Sequence, residues 1–367
     1  MIRTNNRLGV SAAAVGVLAV SLLMLLLWPA LPSQAQSATR GPFITVNTTE
    51  DETTPNDGEC SLREAIQNAN GDAQTSPDCK PGKGEDTITF KKGLSGTITL
   101  DPALGPLPVT AASGLTIDGG QGSITVSGDG KIQVFESKDA KLALENLTVA
   151  DGFVVQEPSP NPKPDKGGGI VNDGGTLTVT SSTFSGNNAN VGGGIANIDG
   201  GALMVTNSTF SGNGAVAGGG IANDGTLTVT NSTFSSNGAD LGGGIQNAFV
   251  ATATATLSNT ILANSKGTNP LNCRGKITDG GYNISDDSSC AFTDPTSKND
   301  TNPLLDPNGL QYNGGPTLTI ALQKGSPALD YIPKGQNGCN TTIKTDQRGV
   351  KRPQGKACDV GAYELQK

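Results

Sequence analysis

Gly167-Gly168-Gly169-Ile170 recurs as Gly192-Gly193-Gly194-Ile195, Gly218-Gly219-Gly220-Ile221 and Gly242-Gly243-Gly244-Ile245. The first three copies lead into a Leu-x-Val-Thr-x-Ser-Thr-Phe segment, Leu177 to Phe184, Leu203 to Phe210 and Leu227 to Phe234. The four starts lie 25, 26 and 24 residues apart. Self-similarity at a fixed period of roughly 20–50 residues marks a repeat architecture, in which each unit buries its apolar face only against its neighbours. Alternating Leu-x-Val between Gly, Asn and Asp turns is strand chemistry. Each unit therefore reads as one coil of a solenoid. Parallel crossovers are overwhelmingly right-handed, so the expected fold is all-β, a right-handed parallel β-helix.

In such a solenoid, aligned positions of successive coils stack about 4.8 Å apart. Phe184, Phe210 and Phe234 form one predicted stack, continued by Leu262, and Ile170, Ile195, Ile221 and Ile245 form another. Asn172, Asn197, Asn223 and Asn247 align as well, as do Asn187, Asn213 and Asn237. Stacked amides can hydrogen-bond along the axis, and Asn also tolerates left-handed turn geometry. The composition agrees, with 51 glycines and only 4% aromatic residues, which favours short strands and tight turns over one large core. Less regular strand patterns begin at Asp86, and the Pro-rich stretch from Glu157 to Lys166 reads as a loop inserted into one coil. The span from Asp86 to Gly325, at roughly 25 residues per coil, suggests ~10 coils and a core of ~45–50 Å.

The ends differ from the middle. Arg3 and Arg7 precede an apolar run from Leu8 to Trp28, and Ser33-Gln34-Ala35 offers small residues for cleavage, so residues 1–35 read as a secretory signal peptide. The same run is long enough to be an uncleaved membrane anchor; no second apolar span follows. Residues 36–85 read as an N-terminal cap. Within it, Ser61 and Glu64 make a capping box ahead of the apolar face Leu62, Ala65, Ile66 and Ala69, which predicts a short helix covering the first coil. Residues 86–266 form the β-helix, with regular repeats over 167–266. Residues 267–367 form an irregular C-terminal cap that holds all four tyrosines. The six cysteines fall as neighbours, Cys60 with Cys79, Cys273 with Cys290 and Cys339 with Cys358. An exported chain with an even count favours disulfides, and local pairing is the expectation, although sequence admits other connectivities. The leader carries two arginines and no acidic residue, so its removal takes the net charge from −8 to −10. That disfavours nucleic acid and anionic lipid as partners.

Three stretches resemble known proteins. Cys60-Ser61-Leu62-Arg63-Glu64-Ala65-Ile66 is similar to the signature of the CSLREA-domain proteins, exported bacterial chains with a cap ahead of a parallel β-helix. The Gly-Gly-Gly-Ile and Ser-Thr-Phe-Ser-Gly-Asn repeats resemble those of polymorphic outer-membrane proteins. Asn313-Gly314-Gly315-Pro316-Thr317, Gly325 to Asp330, Asp346-Gln347-Arg348-Gly349 and Cys358 to Glu364 resemble the choice-of-anchor Q region. The resemblance implies a secreted or cell-surface β-helix whose relatives often carry a separate anchor, and it brings no known reaction with it. With no apolar tail or sorting motif after Glu364, release or noncovalent retention is expected here.

The competing class is a polysaccharide lyase or glycoside hydrolase on a pectate-lyase-like helix. From Gly167 to Ser265 the repeat contains only Asp173, Asp199, Asp224 and Asp240 as charged residues. A uronate lyase needs a base and charge neutralisation, and a hydrolase needs two opposed carboxylates; no catalytic residue is assigned from these coils. Glu85, Asp86, Asp118, Asp129, Glu136, Asp139, Glu145 and Asp151 in the earlier coils are the remaining acids that an enzyme would use. No cofactor is expected. The weak candidates for structural calcium are a row of Asp173, Asp199 and Asp224, each beside Gly, and the acidic tract around Asp286 and Asp287; Asp-Gly is also ordinary turn chemistry. Tyr282, Tyr312 and Tyr331 are the ligand candidates, since the repeat Phe positions belong to the core and the only Trp lies in the leader. Outward threonines (Thr178, Thr180, Thr206, Thr228, Thr230, Thr252, Thr254 and Thr256), interrupted by Met204, raise an ice-binding alternative, although β-propensity alone favours Thr there. The function expected is a noncatalytic binding, adhesion or matrix module directed at an extracellular glycan or surface.

Overall fold

The computed structural model describes residues 40–154, 165–248, 252–267 and 271–366. The signal-peptide segment and nearly all of the Pro-rich loop lie outside the described residues. The described chain is a β-solenoid whose walls are three parallel sheets, of nine, eight and seven strands. Each coil gives one strand to each sheet in turn. The first coil is Glu85–Phe90, Gly96–Thr99 and Leu107–Val109; the seventh is Thr254–Ser258, Ile261–Ala263 and Cys273–Arg274. Arg40–Val46 adds a strand ahead of the first coil, and Thr278–Asp279 and Ile284–Ser285 add two beyond the seventh.

Register explains the repeat residue by residue. Phe184 pairs with Phe210 and Phe210 with Phe234, and their rings stack with centroids 4.8 and 4.7 Å apart at interplanar angles of 4° and 7°. Asn172 donates through Nδ2 to Asn197 Oδ1, Asn197 to Asn223 and Asn223 to Asn247, each at 2.7 Å. A second ladder joins Asn187 to Asn213 and Asn213 to Asn237, each at 2.9 Å. The Gly triplet has a steric cause. Gly192 adopts φ +66°, and a Cβ on Gly193 or Gly194 would lie 2.6 Å from Gly219 O or 2.5 Å from Gly220 O of the next coil. Adjacent coils therefore approach backbone to backbone at this corner, where only hydrogen fits.

The N-terminal cap contains the helix Leu62–Gly71 with the Ser61–Glu64 capping box formed. Leu62, Ala65, Ile66 and Ala69 are buried against the first coil. Arg63 ties the helix down, pairing with Asp51 at 2.8 Å and donating to the carbonyls of Leu104, Gly105 and Pro106. The disulfides are Cys60–Cys79, Cys273–Cys290 and Cys339–Cys358.

The coil count corrects the expectation of about ten. There are seven complete coils, and the nine-stranded sheet spans about 38 Å at ~4.8 Å per strand spacing. The reason is that after Ser285 the chain adds to the stack only a single parallel bridge, Ile284 with Lys298, and then packs against the outer face of the eight-stranded sheet. Thr183, Thr209 and Thr233, in register on that face, are buried by it. Gln347 lies across the row: its Nε2 donates to Thr183 Oγ1 at 2.8 Å and its Oε1 accepts from Thr209 Oγ1 at 2.6 Å. Ala362 N donates to Thr233 Oγ1 at 3.0 Å. The Asp346-Gln347-Arg348-Gly349 motif is thus a latch, with Arg348 bridging Asp346 and the Asn313 carbonyl and stacking 3.7 Å over Tyr363.

Two outcomes test this packing. Phe210→Ala, which empties the middle of the ring stack, costs about 3–5 kcal/mol, measured as a lowered urea midpoint. Gln347→Leu leaves the Thr183 and Thr209 hydroxyls buried without this partner, so limited proteolysis releases the 301–366 region from an otherwise protected solenoid; protection equal to wild type would contradict the latch.

Candidate functional site

The outward residues of the nine-stranded sheet form three rows along the solenoid axis. Glu85, Gly114 and Lys141, each one residue ahead of in-register partners, make one edge row, continued by Thr176. Thr87, Thr116, Ala143 and Thr178 make the middle row, headed by Phe43. Thr89, Asp118, Glu145 and Thr180 make the other edge row. Small residues in the middle and longer charged ones at the edges leave a groove of about 440 Å³, lined by Phe43, Glu85, Asp118, Lys141 and Glu145 among others. Gly114 deepens the floor, since a Cβ there would lie 3.2 Å from Glu85 Cγ.

Asp118 also borders a second cavity of about 580 Å³ around the corner, lined by Phe90, Lys91, Lys92, the turn Gly119 to Ser123, and Tyr312 from the closing region. The Asp118 carboxylate is fixed at this junction, with Oδ1 accepting from Gly120 N and Asn146 Nδ2, each at 2.8 Å. Phe43 and Tyr312 are 55% and 70% exposed, and no other described aromatic residue is as open to solvent. Both exposed aromatics therefore flank cavities that meet at one carboxylate.

The other tyrosine candidates have internal duties. Tyr282 and Tyr331 pack edge to face at 5.8 Å, the Tyr282 hydroxyl bonds to Gln336, the Tyr331 hydroxyl donates to Thr296 O, and Lys298 Nζ lies 4.2 Å over the Tyr331 ring. Burial pushes the Tyr331 hydroxyl above its ordinary pKa. Of the early acids, Asp86 is buried and accepts twice from Lys83 N, and burial raises its carboxyl. Asp129, Glu136, Asp139 and Asp151 belong to other corners and walls.

Asp286 and Asp287 surround Asn272: Asp286 Oδ1 accepts from its Nδ2 at 2.6 Å and Asp287 Oδ2 from its backbone N at 2.8 Å. Asp287 Oδ1 also accepts from Ser289 N and Oγ. These acceptors close turns. Among the described residues no group of three or more Cys, Asp or Glu is placed to hold a metal ion. In register Asp173 pairs with Ile198 rather than with Asp199, so the expected row is offset there; burial, followed by a side-chain hydrogen bond with Asp199, raises the Asp173 pKa. The threonine rows are in register: Thr178, Met204, Thr228 and Thr256 along one line and Thr180, Thr206, Thr230 and Ser258 along the next. Met204 is 52% exposed in the middle of its line. Thr252 and Thr254 are exposed as well.

No family model, curated protein or solved structure matches the chain. Among the described residues no helix is long and apolar enough to cross a membrane.

Phe43 and Lys141 of the groove were not singled out from sequence. The only local signal was small residues, Gly114 and Ala143, at outward strand positions between charged ones.

The Asp173 carboxyl yields a pH test. A raised folded-state pKa means that the stability it contributes is present below the ordinary carboxylate value and is lost as pH rises through the raised one. Asp173→Asn is permanently neutral, so it raises the melting temperature at pH 7 and leaves it unchanged at pH 3; the two melting curves against pH converge in the acid range.

Proposed function

We propose that the protein is a secreted or surface-associated, noncatalytic glycan-binding module, with its ligand in the groove on the early coils of the nine-stranded sheet. The observation that carries this reading is the convergence of the two exposed aromatic rings, Phe43 and Tyr312, on cavities joined at Asp118. Sugar rings have apolar faces that stack on aromatic side chains, and their hydroxyls need fixed acceptors and donors at the edges. Glu85, Asp118 and Glu145 supply acceptors, and Lys91, Lys92 and Lys141 supply donors. An open groove of this kind fits a chain rather than a small molecule enclosed in a pocket. Three disulfides support a destination outside the reducing cytosol.

Binding without turnover is the simpler account of the acids. Asp118 is held by two hydrogen bonds in a structural role, and its neighbour Glu145 stands on the adjacent strand of the same wall. They do not face each other across a cleft, as the two carboxylates of a hydrolase do.

A glycan array probed with and without Ca²⁺ identifies the ligand. Phe43→Ala and Tyr312→Ala each then weaken its binding about tenfold, which corresponds to ~1.4 kcal/mol, with melting temperatures unchanged. Incubation with the same glycan releases no reducing or unsaturated ends. Binding that survives both substitutions places the ligand elsewhere, and turnover lost in Asp118→Asn or Glu145→Gln makes the groove an active site.

A further inference from the structure

The groove on the nine-stranded sheet is bounded at both ends. Along the middle row the register runs Phe43, Thr87, Thr116, Ala143, Thr178 and Met204. Phe43 and Met204 are large, apolar and more than half exposed, and the four residues between them are short. The cavity begins at Phe43 and ends at Thr176 and Thr178, one strand before Met204. Phe43 and Met204 stand five strand spacings apart, or about 24 Å at ~4.8 Å each. The floor is four residues long.

The walls fix the direction in which a ligand lies. Glu85 and Lys141 belong to one edge row and Asp118 and Glu145 to the other, four residues along the strand from the first row. That separation is about 13 Å at ~3.3 Å per residue. A chain laid along a strand crosses both walls, whereas one laid along the solenoid axis runs between them. Acids and bases are interspersed, since Glu85 shares its row with Lys141, and Asp118 borders the cavity that holds Lys91 and Lys92. A uniformly charged chain therefore meets like charge, while sugar hydroxyls donate to the carboxylates and accept from the lysine. Glu85 and Lys141 are exposed and keep their water on the open side. A β-1,4-linked pyranose chain is straight and advances by close to one strand spacing per sugar, which sets one sugar over each floor residue. An α-1,4-linked chain curls into a wall.

We infer that the groove takes a neutral, straight, β-1,4-linked chain of four sugars, laid along the solenoid axis with its end sugars against Phe43 and Met204. The assignment rests on the glycan-binding reading above and adds the ligand's shape and length to it. Tyr312 lies outside this trough, at the cavity that Asp118 borders, where it meets a group carried on the side of the chain.

Cello- and malto-oligosaccharides are matched probes that differ only in the anomeric linkage. In titration calorimetry on the full chain, cellotetraose is expected to bind about tenfold tighter than either cellobiose or maltotetraose. Cellohexaose binds no tighter than cellotetraose, because its extra sugars find no floor. Met204→Thr gives this position the residue of its register neighbours Thr178 and Thr228 and opens the far end, so cellohexaose becomes about threefold tighter than cellotetraose. Phe43→Ala weakens both, and matched melting curves separate a lost contact from misfolding. No binding of the cello series, equal affinity for the two tetraoses, or affinity that keeps rising to cellohexaose in the wild type overturns the assignment. So does tighter binding of an oligogalacturonate or a glucosamine tetramer, or an unchanged order of cellotetraose and cellohexaose in Met204→Thr. If an arrayed glycan then still binds and is weakened by Phe43→Ala, the groove reading survives. If neither these probes nor any arrayed glycan is retained, both fall.

Discussion

Everything in this molecule follows from stacking coils in register. A parallel backbone ladder places each side chain one strand spacing from its equivalent in the next coil, so the sequence must tolerate every residue meeting its own kind. Phenylalanine does this by ring stacking, and asparagine does it through an amide that donates at one end and accepts at the other. Glycine does it where backbones close to within 2.6 Å of a would-be Cβ. Charge does it badly. Burial and the neighbouring Asp199 carboxyl raise the cost of ionising Asp173, and the other charged positions of the regular coils are few.

The same constraint governs where function can reside. A recognition surface needs unlike groups side by side, and homotypic stacking forbids that in the regular repeat. The early coils lack the identity of the repeat while keeping its register. Rows such as Glu85, Gly114, Lys141 and Thr176 can therefore combine an acid, a gap, a base and a hydroxyl within four coils. The groove is the product of irregular sequence on a regular backbone.

The closing region gives the Asp346-Gln347-Arg348-Gly349 stretch an architectural meaning. Gln347 reaches across the Thr183 and Thr209 hydroxyls, and Arg348 holds the carbonyl of Asn313, the residue after Tyr312. The threonine row, which on an open face would be solvated, becomes a docking strip because a buried hydroxyl requires a partner and the glutamine amide supplies donor and acceptor together. One element closes the eight-stranded wall and carries an aromatic ring to the edge of the nine-stranded one.

The sequence by itself determined the coil, its period, the identity of the stacks and the capping helix, because these depend on local strand and turn chemistry repeated at a fixed interval. It overestimated the number of coils, because composition does not distinguish a strand that extends the stack from a segment laid along its flank; that depends on contacts such as Gln347 with Thr183, 164 residues apart in the chain. It named Glu85, Asp118, Glu145 and Tyr312 as candidates and left them unconnected. Only the tertiary structure brought Asp118 beside Glu145 across neighbouring strands and set Tyr312 at the same cavity as Lys91 and Lys92. Adjacency between coils is fixed by register and adjacency between the coils and the closing region by docking, and neither is a property of any single stretch of chain.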